Sequence, residues 1–217
     1  MAKDAATHVV LVGDSVFDNT AHVGRGPDVS AHLRRLLPST ERVSCCAVDG
    51  ATTADMGGQL EAMPDDGTHL VLSLGGNDAL LNADLLDLPV RSTGVALDLF
   101  RDRVAGFAES YGWDVEALAE RRKALTVCTI YHADLNPAEA ARAPTALALF
   151  NDAILRAALR LGANVIDLRA VCADPLDFTR AIEPSVTGGL KIAEAIVRAL
   201  SLPPGCPARS VLLGAPG

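Results

Sequence analysis

Four short apolar runs punctuate the chain, at His8–Val12, Val43–Val48, His69–Leu74 and Ala124–Ile130, with a weaker fifth at Asn164–Leu168. They lack the apolar–polar alternation of a strand with one wet face, so they read as parallel strands covered on both sides. Helical patterns lie between them. Val29–Leu37 closes before Pro38, Leu97–Ser110 and Asp114–Arg122 mix apolar and charged positions, and Ala143–Leu161 stops at Gly162. The last, Gly188–Leu200, keeps Leu190, Ala193, Ile196, Val197 and Leu200 on one stripe. This alternation predicts an α/β fold, a three-layer α/β/α sandwich around a five-stranded parallel sheet. One domain is expected over residues 1–217, with residues 202–217 a Pro- and Gly-rich surface tail. Right-handed crossovers bring the carboxyl ends of the strands to one edge, where such folds place their sites.

Composition narrows the class. With 217 residues, 49% of them apolar and 21% charged, the chain can bury a core without disulfides or metal. No apolar run reaches the roughly eighteen residues of a membrane span. The polar start MAKDAATH leads straight into VVLVG without a signal-peptide pattern, so a cytoplasmic location is expected. A net charge of −8 and only 4% aromatic residues argue against nucleic acid as a partner. The five cysteines show no CxxC spacing; Cys45, Cys46, Cys128 and Cys172 sit in or beside apolar runs and read as core, and Cys206 as tail.

The residues that follow the strands carry the chemistry. Gly13-Asp14-Ser15 follows the first, Asp49-Gly50 the second and Gly75-Gly76-Asn77-Asp78 the third. A hydroxyl, a glycine and a carboxamide converging on one edge suggest acyl transfer: Ser15 attacks, and backbone N–H groups with a side-chain amide hold the oxyanion. Each also has a plainer use, Ser15, Asn77 or Asp78 as helix caps and Gly50 and Gly75 as turn residues. A magnesium site built from Asp14, Asp49 and Asp78, as in a metal phosphoesterase, is a further alternative. A phosphoacceptor or nucleotide-binding domain is disfavoured, since the chain has no GxxxxGK[ST] loop and no acceptor aspartate at the end of the third strand.

In order, VLVGDSVFDN, VDGATT and LSLGGND resemble the blocks of the SGNH (GDSL) hydrolase family, with its flavodoxin-like sandwich. The resemblance implies that Ser15 is the nucleophile and also offers its backbone N–H, with Gly50 and Asn77 as the other oxyanion donors. It implies an ester or acyl substrate and no cofactor or metal. Val16 replaces the usual leucine. The family's Asp-x-x-His block does not match: Arg180 stands in the place of the Asp and Glu183 in that of the His, the register being fixed by Pro184-Ser185. Glu183 is therefore the expected base. His132, after the fourth strand, is the alternative, and His22, after the nucleophile block, ranks behind it. His8 and His69 start strands at the opposite edge, and His32 lies in a predicted helix. A non-catalytic relative binding an acyl or glycan ligand is the competing function. The leucine-rich stretch Leu80, Leu81, Leu85, Leu86 and Leu88 favours an apolar acyl group.

Overall fold

The structure, a computed structural model, describes residues 6–202 and 210–214. The first five strands are β1 (His8–Gly13), β2 (Arg42–Cys45), β3 (His69–Ser73), β4 (Ala124–Cys128) and β5 (Asn164–Ile166). A two-residue hairpin follows, β6 (Phe178–Thr179) against β7 (Glu183–Pro184), and then β8 (Leu212–Leu213). The main sheet has six parallel strands in the order β2-β1-β3-β4-β5-β8, one more than the sequence predicts. The additional strand comes from the expected surface tail: Val165 N–H donates to Val211 O and Asp167 N–H to Leu213 O, both at 2.7 Å. The rest of that tail, Cys206 included, lies outside the described residues.

Eight helices link or flank these strands among the described residues: α1 (Val29–Leu36), α2 (Met56–Ala62), α3 (Gly76–Leu81), α4 (Thr93–Glu120), α5 (Pro137–Ala140), α6 (Ala143–Leu161), α7 (Leu168–Val171) and α8 (Val186–Leu200). Alternate residues of β1 face opposite layers. Val10 and Val12 pack with Tyr111, Val115 and Leu118 of α4 and Ile154 of α6, whereas Val9 and Leu11 pack with Val29 and Leu33 of α1 and Ile192 and Ile196 of α8. Helices thus cover both sheet faces, as the unbroken apolar runs require.

Three elements depart from the sequence reading. The two helices expected on either side of Gly112 are one helix, α4. Phe107, Tyr111, Val115 and Leu118 make a continuous buried stripe through the glycine, and that burial outweighs the roughly 1 kcal/mol by which a mid-helix glycine disfavours it. Strand β2 is an edge strand with no fully buried residue, so Cys45 is exposed and Cys46 only half-buried instead of core; Cys128 and Cys172 are buried as expected. On α8 the buried stripe is turned toward Ile192, Ala195 and Ala199, with Ala193 and Ile196, and Leu190, Val197 and Leu200 lie half-buried beside it. No helix among the described residues is long and apolar enough to cross a membrane.

Candidate active site

The nucleophile turn is built by close packing at the end of β1. Gly13 adopts φ +125°, and a Cβ there would fall 1.7 Å from Ser73 O, so only glycine lets β1 approach β3 at this point. Gln59 of α2 clamps the same residue: its Oε1 accepts from Gly13 N–H (2.7 Å) and its Nε2 donates to Gly13 O (2.8 Å). Asp14 N–H donates to Ser73 O, and Asp14 O accepts from the N–H groups of Phe17 and Asp18, which closes the turn that carries Ser15. The Asp14 side chain caps it by accepting from Val16 N–H at 3.1 Å. Burial raises the Asp14 carboxyl to about 7; the Val16 hydrogen bond opposes that rise, and the nearby carboxylates of Glu183 and Asp78 add to it.

The second and third blocks are tied to each other. Gly50 adopts φ +80° in the turn closed by Ala51 N–H donating to Val48 O, with no atom within 4 Å of the place a Cβ would take. Asn77, in the first turn of α3, donates through Nδ2 to Ala51 O at 2.9 Å. Asp78 accepts from Thr53 N–H and, at 2.7 Å, from Thr53 Oγ1, so it is a loop brace.

Glu183 arrives on β7. Asn19, fully buried, donates to Pro184 O (3.1 Å) while its Oδ1 accepts from Val29 N–H (3.1 Å), and Tyr131 Oη donates to Ile182 O (2.7 Å). These bonds fasten the Glu183 segment to the nucleophile loop and to the end of β4. Glu183 is buried, and its Oε2 has no hydrogen-bond partner.

A cavity of ≈ 140 Å³ opens between this edge and helices α3, α4 and α6. Ser15, Asn77 and Glu183 all line it, as does His132, whereas Gly50 is not on its wall. Among the described residues Ser15 Oγ makes no hydrogen bond, so Glu183 shares the cavity with the serine without being hydrogen-bonded to it. The far wall is apolar, with Leu80, Leu86, Phe100, Leu147 and Phe150. Of the five leucines singled out in the sequence, only Leu80 and Leu86 reach it; Leu85 is buried elsewhere, and Leu81 and Leu88 are exposed.

The histidines sort clearly. His132 is exposed at the cavity, and its imidazole is held below the ordinary range by partial burial and by Arg169, against Asp167. His22 lies beside Glu183: Nε2 is 3.0 Å from Asp49 Oδ2, and Nδ1 is 3.4 Å from an Arg180 nitrogen. Arg180 therefore faces His22, and makes no ion pair with Glu183 among the described residues. His8 is bonded to Asp66 and Ser44 and His69 to Thr68 at the opposite edge, and His32 is buried on α1. Asp14, Asp49 and Asp78 do not gather as metal ligands among the described residues; the group that does is His22, Asp49 and Glu183. Sequence reading passed over Gln59 and Asn19. A polar residue on the inward face of a short helix is the available signal for Gln59, and the need of a buried Asn for partners is that for Asn19.

The pattern of a GDSL-like lipase/acylhydrolase family matches residues 11–186, and the chain belongs to that family. No curated protein matches it by sequence. Solved structures share the fold at low identity. The extracellular lipase from Streptomyces rimosus is 17% identical with a TM-score of 0.70, over 89% of this chain and 100% of that one. Phospholipase A1 from Streptomyces albidoflavus is 19% identical with a TM-score of 0.64, over 90% and 98%. The acetylxylan esterase from Geobacillus stearothermophilus is 13% identical with a TM-score of 0.60, over 94% and 98%.

Proposed function

We propose that the protein hydrolyses carboxylic esters of apolar acyl groups through Ser15. The observation that carries this reading is the cavity: it joins a turn-borne serine, an asparagine amide and a buried, unpartnered carboxylate to an apolar wall. Ser15 Oγ attacks the ester carbonyl while Glu183 takes its proton, forming a C–O bond and a tetrahedral oxyanion. The Ser15 backbone N–H and the second N–H of the Asn77 amide stabilise that oxyanion; the first Asn77 N–H is already committed to Ala51 O, and Gly50, off the cavity wall, is the third donor only by the family resemblance. Collapse expels the alcohol, which takes the proton from Glu183, and water repeats the sequence on the acyl-serine with Glu183 again as base. The apolar wall holds the acyl chain, and no step needs a cofactor.

A carboxylate is a weaker base than imidazole by about two pK units, so turnover slower than with a histidine is expected. The test pairs a fluorophosphonate probe with p-nitrophenyl esters of graded chain length. Ser15 should label and esters should turn over, and both should vanish in Ser15→Ala with the melting temperature little changed. Full activity in that variant ends the reading. Saturable acyl binding without labelling assigns the site to a non-catalytic acyl or glycan binder instead.

A further inference from the structure

Behind the cavity wall, three donors from three separate segments meet: His22 of the loop after the nucleophile turn, Asp49 after β2 and Glu183 of β7. One ligand atom from each lies within 4.8 Å of the others. Surface carboxylates often cluster without consequence, and Asp49 alone, half-exposed, would mean little. Glu183 is different. It is 92% buried by its 8% exposure, and its Oε2 has neither a hydrogen bond nor a salt bridge. A carboxylate removed from water without a partner is costly, and the group that best relieves it is a cation.

We propose that His22, Asp49 and Glu183 form a binding site for a transition-metal dication, with Zn²⁺ the favoured occupant. One imidazole and two carboxylates suit zinc; magnesium and calcium prefer all-oxygen shells. Three protein ligands leave the fourth tetrahedral position to water. With bonds near 2.1 Å, tetrahedral donors stand about 3.4 Å apart. The His22–Asp49 side, at 3.0 Å, is slightly shorter than that spacing and opens as the hydrogen bond gives way to the metal, and the other sides, up to 4.8 Å, close by rotation of the three side chains. The metal takes the lone pair of His22 Nε2, so Nδ1 then carries the proton. Arg180, exposed and only 3.4 Å away, has to turn outward to water.

Glu183 serves both sites, so an occupied site withdraws it from the cavity and suppresses ester hydrolysis. That consequence rests on Glu183 being the base, as proposed above; the binding itself does not. The experiment is therefore run on the Ser15→Ala protein as well as the unmodified chain, after treatment with a chelator. Zinc chloride is titrated in competition with a fluorescent zinc indicator. One Zn²⁺ per chain should bind equally in both proteins, weakened about tenfold or more in His22→Ala, Asp49→Asn and Glu183→Gln. Magnesium and calcium chloride should leave the indicator unchanged. Melting curves without zinc establish that each variant is folded, and the exposed Asp49→Asn keeps the test decisive if Glu183→Gln is not. Absence of saturable binding overturns the proposal. So does binding that survives undiminished in His22→Ala and Asp49→Asn, which would place the metal elsewhere on the chain.

Discussion

Asp14 ties the stability of this fold to pH, and replacing it by asparagine isolates the effect. The carboxyl is 3% exposed and raised from 3.8 to about 7, chiefly by burial. A carboxyl whose folded pKa lies above its unfolded one binds protons more tightly in the native state. Its contribution is fully present below pH 3.8 and is lost as pH rises toward 7, because the unfolded chain ionises first. At 1.36 kcal/mol per unit, a gap of about three units makes a difference of about 4 kcal/mol across that window. The asparagine side chain keeps an oxygen that accepts from Val16 N–H and cannot ionise, so the loss disappears. Urea unfolding of both proteins at pH 4, 6 and 8 reads it directly. Asp14→Asn should match the parent or fall slightly below it at pH 4 and exceed it by several kcal/mol at pH 8. Asp114, also raised to about 7, is common to both proteins and cancels in the difference. A stability difference that stays flat from pH 4 to pH 8 would refute the reasoning and mean that Asp14 is hydrated or paired in solution.

Gln59→Leu leaves the buried Gly13 N–H without its acceptor, while Gly13 O keeps the bond from Val48 N–H, and should destabilise the fold by about 2 kcal/mol, read by urea midpoint. Asn77→Ala should lower kcat by roughly 10²–10³ with a smaller change in KM, the signature of a donor acting in the transition state; a change confined to KM makes it a ground-state contact. Glu183→Gln should remove most of the hydrolytic rate while His132→Ala leaves it, as measured with an activated ester. The paired change Arg180→Asp with Glu183→His should raise the rate, and a harmless Glu183→Gln would exclude Glu183 as base. Lys191→Met strips the cation from fully buried Asp177, 2.6 Å away, leaving its carboxylate with the Asp174 N–H, and should lower stability by about 2 kcal/mol in the same urea assay.

The apolar runs and their order were sufficient for the layered architecture. Val9 to Val12 can be buried on both faces only if helices cover both, and Gly162, left-handed at φ 70°, ends the helix before it as its place after the apolar stripe predicts. The linear order of Ser15, Gly50 and Asn77 likewise identified the family, because each falls where its strand delivers it to the same edge. Other features depend on neighbours that the chain meets only when folded. Whether Gly112 breaks a helix was decided by the core that Tyr111 and Val115 fill on either side of it. Whether Cys45 is core was decided by the position of β2 at the sheet edge, and the last strand by a vacant edge of β5. The surroundings of Glu183 are the clearest case. His22, Asp49 and Glu183 are separated by 27 and 134 residues of chain and belong to two different loops and the β7 strand. Side-chain periodicity is local, whereas a meeting of loops follows from how crossovers and hairpins pack, so only the tertiary structure decides it.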